Sequence, residues 1–219
     1  IALTFIEMIL LLAGGMPLFD SVVHAVGTAG TGGFGIKADS LASYSPYIQW
    51  VVTAFMFIFG VNFNLYYFML IRKFKSAVKN EELITYLIIV FLSITAITIN
   101  IRPLYEGVSE SIRTAAFQVG AIISTTGFAT ADFNQWPGLS KTILLLLMFV
   151  GGCAGSTAGG FKISRVVMLF KTIKRELQKL LHPRAVSTIR LDGKRVDEKT
   201  ISSLGSYLAI YTLFFCVVV

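Results

Sequence analysis

The sequence predicts an all-α polytopic membrane protein, built from repeated helix–pore-loop–helix units with re-entrant half-helices and one broken transmembrane helix. Apolar residues make up 55% of the 219 residues and charged residues 14%, whereas a soluble domain carries about a quarter charged residues. The apolar residues come in blocks that are too long for a one-sided soluble helix. The same order of segments, each with a glycine-bearing polar loop, occurs twice, which indicates an internal repeat.

The first repeat opens with an apolar helix at the start of the chain. A half-length helix is predicted over 20–27, and a polar loop over 28–35 follows it. Ser45 and Pro46 are typical of a helix start, because serine caps the first turn and proline fits its first position. The next span is predicted over 47–72, which at about 1.5 Å per residue is long enough to cross a hydrocarbon core of about 30 Å.

The second repeat follows a basic stretch over 72–79. A span is predicted over 82–101, then a half-length helix over 110–123, which again meets a polar loop over 124–130. A proline-started apolar helix over 139–150 completes the order of segments. The two copies share little identity outside their loops, so the repeat is one of architecture.

The helix of the second repeat that follows the loop runs into a glycine-rich segment over 151–160 and resumes over 161–181. As one rod it would be roughly 60 Å long, about twice the hydrocarbon thickness of a bilayer. The glycine run is therefore expected to break the helix inside the membrane, where unwound backbone must be buried in protein or face water. Its candidate residues are Gly151, Gly152, Gly155, Ser156, Thr157, Gly159 and Gly160.

The two polar loops are the strongest candidates for a functional site. Each follows the carboxyl end of a half-helix, which carries partial negative charge from unpaired carbonyl groups. Glycine lets the next residues turn their carbonyl oxygens toward one axis, and rings of such oxygens replace the hydration shell of K⁺. The candidate ion-binding residues are Thr31, Gly32, Gly33, Thr125, Thr126 and Gly127. Phe34 and Phe128 are expected to pack outward and brace the loops.

The charge distribution predicts the topology. Eleven of the nineteen Lys and Arg residues lie between Lys162 and Lys199, and four more flank the span that ends near Arg72. Basic residues beside apolar spans mark cytoplasmic loops, so 72–81 and a linker over 182–200 are placed inside and the pore loops outside. This pattern argues against a nucleic-acid partner and favours contact with membrane lipid. The two cysteines, Cys153 and Cys216, indicate neither a disulfide framework nor a metal site.

Several stretches together resemble the Trk/Ktr/HKT superfamily of potassium transporters, most closely its Trk-type membrane subunit. The matching stretches are 15–20 with 30–35, 124–128 with 131–134, 151–157, and the His182-Pro183 pair. The resemblance implies four helix–loop–helix repeats around one pore, with the filter loops selecting K⁺ and the glycine-rich segment acting as an intramembrane gate. It also implies a bacterial cytoplasmic-membrane location, a homodimer and a cytoplasmic nucleotide-binding regulatory subunit of the Trk type.

On this resemblance the chain is expected to be an internal portion of a longer protein. Residues 1–73 would hold the end of an outer helix, the first visible pore loop and an inner helix. Residues 74–181 would hold the second visible pore loop with the broken inner helix, 182–200 the basic cytoplasmic linker, and 201–219 the start of the next repeat. No cofactor is expected, and K⁺ is the transported ion.

Other functions remain open at this stage. Ser156 in a glycine-rich membrane loop is compatible with an intramembrane serine hydrolase that uses His24 as its base, although the span count puts the two at different depths. Gly32 stands where the second loop has Thr126, so a non-selective K⁺/Na⁺ channel is also an alternative. Tight helix crossing is the alternative for the glycine run. Channel-like flow and symport with H⁺ or Na⁺ both fit these loops.

Overall fold

The computed structural model describes residues 1–73, 78–182 and 188–218. The helices are α1 (Ala2–Ala13), α2 (Leu18–Ala29), α3 (Pro46–Phe59), α4 (Phe63–Leu70), α5 (Glu81–Ile101), α6 (Val108–Ile123), α7 (Gly138–Val150), α8 (Ile163–Leu181) and α9 (Glu198–Val218). Two short 3₁₀ helices span Arg102–Leu104 and Phe133–Gln135, and two short strands are β1 (Arg190–Leu191) and β2 (Lys194–Arg195). Pro183 of the predicted His-Pro pair lies outside the described residues.

Two of the described helices, α5 and α9, are long and apolar enough to cross a membrane. The helix pair α3 and α4 adds a third span if the two count as one, and α1 and α7 are shorter apolar helices. Helix α5 has many exposed apolar side chains, including Leu87, Phe91 and Ile99, as expected for a surface that faces lipid. The prediction of a polytopic all-α protein is confirmed.

The two half-length helices of the repeats are α2 and α6. Their 12 and 16 residues give lengths of about 18 and 24 Å, short of the thickness of a hydrocarbon core. Helix α6 is almost entirely buried from Ser111 to Ile123 because it packs between α3 and α5. Two apolar cores result, one around α2 and one around α5 to α7, and Phe117 of α6 belongs to the first.

The prediction of one continuous span over 47–72 is wrong. The chain bends by 91° between α3 and α4. Gly60 ends α3, and the side chain of Asn62 starts α4 by accepting a hydrogen bond from the backbone N–H of Asn64 (2.9 Å). A methyl group at Gly60 would lie 2.6 Å from the Tyr86 hydroxyl, so this close approach to α5 requires glycine.

The helix break over the glycine run is present, between Val150 and Ile163. The second half, α8, begins two residues later than predicted because Lys162 adopts a left-handed backbone (φ 79°). Helix α8 is amphipathic and is not among the candidate spans of the described residues. The Lys162 ammonium donates a hydrogen bond to the Ala158 carbonyl.

A short β-hairpin lies in the basic linker. Strands β1 and β2 pair antiparallel, with Leu191 opposite Lys194, and the left-handed residues Asp192 (φ 50°) and Gly193 (φ 76°) form the turn. The hairpin joins α8 to α9. At the same end of the molecule the buried Arg175 of α8 donates a hydrogen bond to Glu198 of α9 at 2.7 Å.

Candidate ion-conduction site

Helices α2 and α6 both end in loops with the same backbone conformation. Gly30 and Ser124 are the C-cap residues of α2 and α6, with φ of −86° and −79°. The next residues, Thr31 and Thr125, both turn into the left-handed region, with φ of 51° and 56°. A threonine there is uncommon and costs about 1–2 kcal/mol, so its presence at the same place in both loops marks a functional constraint.

Glycine recurs two residues later in each loop. Gly33 has φ 66° and Gly127 has φ 80°, and this is the position at which both loops carry glycine. A methyl group on Gly33 would lie 1.9 Å from the carbonyl oxygen of Thr126. The two loops are therefore in direct backbone contact, and the predicted ion-binding residues of one repeat meet those of the other.

The electrostatics of these loops favour a cation. The carboxyl ends of α2 and α6 both lead into the loops, so each adds the partial negative charge of its unpaired carbonyls. Several carbonyls are used by the turns, for example that of Ala121, which accepts the Gly127 N–H at 3.1 Å. The Thr126 side chain is fixed by a 2.7 Å hydrogen bond to the hydroxyl of Ser124, which leaves the backbone oxygens as the candidate ligands.

The two phenylalanines after the glycines differ. Phe128 is 1% exposed and packs near His24 (ring centroids 5.6 Å apart) and over Gly27. The expectation that it braces its loop therefore agrees with its packing. Phe34 is 76% exposed, so the described residues supply no bracing contact of that kind for it.

The glycine-rich segment between α7 and α8, residues 151–162, contains the predicted gate and is called the gate loop. The polar loops over 28–35 and 124–130, which contain the predicted ion-binding residues, are called the filter loops. The gate loop is a tight excursion whose two ends meet: the Lys162 N–H donates to the Val150 carbonyl (2.9 Å) and the Phe161 N–H to the Phe149 carbonyl (3.2 Å). Gly160 (φ 86°) would place a methyl group 2.6 Å from the Gly151 Cα. Glycine is required here because the two strands of the loop touch.

The gate loop bonds directly to both filter loops. The Thr31 hydroxyl lies 2.8 Å from the Gly30 carbonyl and 3.2 Å from the Thr157 carbonyl, so its one proton is shared between these acceptors. The Gly159 N–H donates to the Thr125 hydroxyl at 2.7 Å. The equivalent threonines of the two repeats therefore hold the same short stretch of the gate loop. This places that stretch against the filter loops.

The gate loop also fills the break between α3 and α4. The Cys153 N–H donates to the Gly60 carbonyl (2.9 Å), and the Phe63 N–H donates to the Gly155 carbonyl (3.1 Å). These bonds satisfy backbone groups that the bend would otherwise leave without partners inside the membrane. The bend of the first repeat and the loop of the second are thus one structural feature.

The geometry does not assemble a serine hydrolase. The Ser156 hydroxyl donates to the Cys153 carbonyl at 2.6 Å, and His24 Nδ1 bonds the Asp20 carbonyl at 2.7 Å. The imidazole packs against Tyr44 and Phe128, and no hydrogen bond joins it to Ser156 among the described residues.

A polar network outside the spans supports α2. The Tyr44 hydroxyl donates to Asp20 at 2.7 Å. Burial, together with that hydrogen bond and the charges of Asp20 and Asp39, raises the pKa of Tyr44 to about 12. Tyr44 also contacts His24, which ties the outer loop to the middle of the half-helix.

One residue of this site was not predicted. Glu82 is 4% exposed, and its carboxylate accepts the N–H groups of Ala154 (2.5 Å) and Ser164 (3.1 Å). In the sequence Glu82 is only an acidic residue at the edge of an apolar span. Acidic residues also occur at many helix starts, so this position alone did not indicate a role.

Two repeated half-helices with contacting glycine loops, inside a set of apolar spans, define the class of membrane proteins that carry ions through re-entrant loops. The chain belongs to the TrkH family of cation transport proteins, whose family model matches residues 4–219. It is 34% identical to the Trk system potassium uptake protein TrkG of Escherichia coli over 204 residues, covering 91% of this chain and 42% of that protein. It is 33% identical to TrkH of E. coli over 207 residues, covering 93% of this chain and 43% of that protein.

The fold agrees as well. The crystal structure of the potassium transporter TrkH from Vibrio parahaemolyticus matches with a TM-score of 0.90 and 30% identity, covering 99% of this chain and 47% of that one. The chain spans less than half the length of these relatives. The resemblance stated from the motifs is confirmed.

Proposed function

We propose that this chain supplies two of the loops of a K⁺ filter, through which the whole protein takes up K⁺ across the cytoplasmic membrane. The observation that carries the proposal is the matched pair of loops, each at the carboxyl end of a half-helix and joined by the approach of Gly33 to the Thr126 carbonyl. Membership of a cation transport family and relatives named as potassium uptake proteins support it.

In the proposed mechanism, backbone oxygens of 31–33 and 125–127 replace part of the ion's hydration shell. The two helix ends stabilise the dehydrated charge, and no covalent step is needed. The chemistry selects among ions by the number and spacing of oxygens, so the fixed backbone of the two glycines matters more than any side chain. This is a transport function and not an enzymatic one.

The gate loop is proposed to block the pore below the filter. Its hydrogen bonds to Thr31 and Thr125 support this, because a loop attached to both filter loops lies across the path between them. Opening requires those two bonds to break together. The alternative, that the glycines serve only for close helix crossing, does not account for bonds that run from the loop to both filter threonines.

A non-selective K⁺/Na⁺ channel is the second candidate function. Gly32 has no side chain where the other loop has the buried Thr126 with its hydroxyl bonded to Ser124. The first loop therefore lacks one of the bonds that stiffen the second, and a softer loop would discriminate less between the two ions.

The remaining expectations belong to the same proposal. The basic residues of α8 and the hairpin are placed on the cytoplasmic side of a bacterial inner membrane, where they contact anionic lipid and a nucleotide-binding regulatory subunit. The complete protein is proposed to be a homodimer, and the segment boundaries at 73, 181 and 200 follow the repeats.

K⁺ uptake by the full-length protein in a K⁺-uptake-deficient cell, at varied Na⁺ and pH, tests the proposal. Growth at low K⁺ that Na⁺ does not suppress supports K⁺ selectivity, and equal uptake of both ions supports the non-selective channel. A requirement for Na⁺ or a proton gradient would indicate symport. Absence of any monovalent cation flux from a correctly inserted protein would refute it.

A further inference from the structure

Glu82 is a buried carboxylate that the proposed conduction path does not use. It stands in the first turn of α5, at the end of the span that contacts the cytoplasmic hairpin, and one of its oxygens accepts two backbone N–H groups. The donors, Ala154 and Ser164, lie within the gate loop and just after it. A single oxygen thus joins the early part of the loop to the start of α8.

These bonds matter for the loop because Glu82 is a side-chain acceptor that joins the loop to α5, whereas other bonds of its backbone run to α7, the α3–α4 bend and Thr125. Backbone N–H groups inside a membrane protein must be paired, and a carboxylate is a stronger acceptor than a neutral oxygen. With Glu82 in place, both donors are held and the loop stays against the filter. Without it, the closed loop would leave two N–H groups unpaired, which favours a conformation that exposes them to water.

The first turn of α5 is in turn hydrogen-bonded to the cytoplasmic hairpin. Asp192, in the hairpin turn, accepts the backbone N–H of Glu81 at 2.8 Å and the Asn80 amide at 2.6 Å. Asn80 in turn caps α5 by accepting the Leu83 N–H at 2.8 Å. Asp192 therefore acts as an added cap on the helix turn that carries Glu82.

A cavity of about 820 Å³ lies between the hairpin and α4, with Leu65 and Phe68 on one side and Lys194 and Arg195 on the other. Beside this cavity, the polar contacts of Asp192 with Asn80 and Glu81 join the hairpin to α5. A tilt of the hairpin would shift Asp192, which caps the first turn of α5. Because that turn is rigid, the Glu82 carboxylate would shift with it.

We propose that Glu82 is the positioning residue that holds the gate loop closed, and that Asp192 makes the cytoplasmic hairpin the element that sets the position of Glu82. The proposal rests on the proposed gate function of the loop and names its regulation. It predicts a chain of dependence from hairpin to helix turn to loop, in which removing either carboxylate loosens the same loop.

Cys153 provides a readout of the loop that does not depend on ion flux. It lies in the gate loop and is 0% exposed, so a water-soluble thiol reagent reaches it only when the loop opens. The experiment uses the full-length protein with every other cysteine, Cys216 included, replaced by serine. The rate of Cys153 modification is measured in proteoliposomes beside K⁺ leak.

Glu82→Leu keeps the volume and removes the acceptor, and we expect modification of Cys153 to become at least about tenfold faster. Glu82→Gln, whose amide oxygen still accepts, should restore most of the slow rate. Glu110→Leu is the matched control, because Glu110 also stands in the first turn of a helix and its carboxylate contacts Arg113 instead of the loop or the hairpin. Equal rates in Glu82→Leu and this control would overturn the role of Glu82.

Asp192→Ala tests the hairpin, and its effect in the unaltered background does not depend on whether the buried Glu82→Leu variant folds. We expect it to speed modification of Cys153 when Glu82 is present and to add nothing in the Glu82→Leu background, because both changes act on one path. No effect of Asp192→Ala alone, or an equal effect in both backgrounds, would overturn the link. If the unaltered protein carries no K⁺ flux, the proposed function is refuted. The rates of Cys153 modification still test whether Glu82 and Asp192 hold the loop.

Discussion

The contact between the two filter loops predicts a severe effect of Gly33→Ala. The new methyl group would lie 1.9 Å from the Thr126 carbonyl oxygen, whereas such contacts are essentially never closer than 3.0 Å, so the loops must separate by 1.1 Å (3.0 − 1.9) or more. The left-handed backbone adds strain of about 1–2 kcal/mol, and forced repacking typically costs about 1–3 kcal/mol. If about 1.4 kcal/mol of this cost is lost from the free energy of K⁺ binding, the affinity for K⁺ falls tenfold.

Gly30→Ala is the control. Gly30 has an ordinary φ of −86°, the nearest atom to its methyl group is 3.2 Å away, and the other repeat carries Ser124 at the same place. Initial rates of K⁺ and Na⁺ uptake by full-length variants, at equal amounts in the membrane, measure both effects. We expect at least a tenfold lower K⁺ rate or K⁺/Na⁺ ratio for Gly33→Ala and near-normal values for Gly30→Ala. Normal transport and selectivity in Gly33→Ala would refute the contact between the loops.

Four further predictions address the second loop, the gate loop and the outer surface. Gly127→Ser should lower the K⁺/Na⁺ uptake ratio, because φ 80° strains a side-chain-bearing residue and turns its carbonyl; an unchanged ratio would count against backbone coordination. Shortening the gate loop within 151–160 should raise passive K⁺ leak from proteoliposomes, whereas a loop that only packs helices would give no leak. Thr125→Val should raise leak more modestly, because it removes one acceptor of the loop, and Thr125→Ser should restore the closed level. Asp132→Ala should lower the melting temperature at pH 7. The hydrogen bond from the Asn134 N–H lowers the pKa of Asp132 below 3.8. The ionised Asp132 therefore stabilises the folded protein above pH 3.8, and this stabilisation is lost as pH falls through the lowered pKa. The difference from the unaltered protein should therefore vanish in strong acid, and a difference that persists there would rule out the ionised cap.

The half-helices, the polar loops that follow them and the break at the glycine-rich segment could be predicted because their causes are local. A half-helix ends where glycine and threonine follow an apolar stretch, as after Ala29 and Ile123, and the repetition of this order supports both assignments. The break after Val150 follows from length alone, since a helix of that extent does not fit a bilayer. Backbone chemistry within a few residues decides each of these features.

The bend between α3 and α4 could not be predicted because its cause is distant in the chain. One glycine and two asparagines in an apolar run are compatible with a straight span. Gly60 and Phe63 lose helical partners at the bend and find new ones in Cys153 and Gly155, about ninety residues later. Similarly, the role of Glu82 depends on Ala154, which no spacing in the sequence connects to it.

The exposure of Phe34 has the same kind of cause. Its counterpart Phe128 is buried because residues of the first repeat, His24 and Gly27, lie against it. The sequence pattern makes the two phenylalanines equivalent, whereas their packing depends on which repeat stands next to each. Equivalence of loops therefore predicts backbone conformation better than it predicts side-chain burial.

The central claim is that backbone oxygens of these two loops bind the transported ion. The most direct measurement is a crystal structure of the full-length protein in Rb⁺ or Tl⁺, with the anomalous signal used to locate the ion. We predict a peak on the axis between the loops, within coordination distance of carbonyl oxygens of 31–33 and 125–127. A protein that transports these ions but binds them only elsewhere, with no peak at these oxygens, would contradict the account.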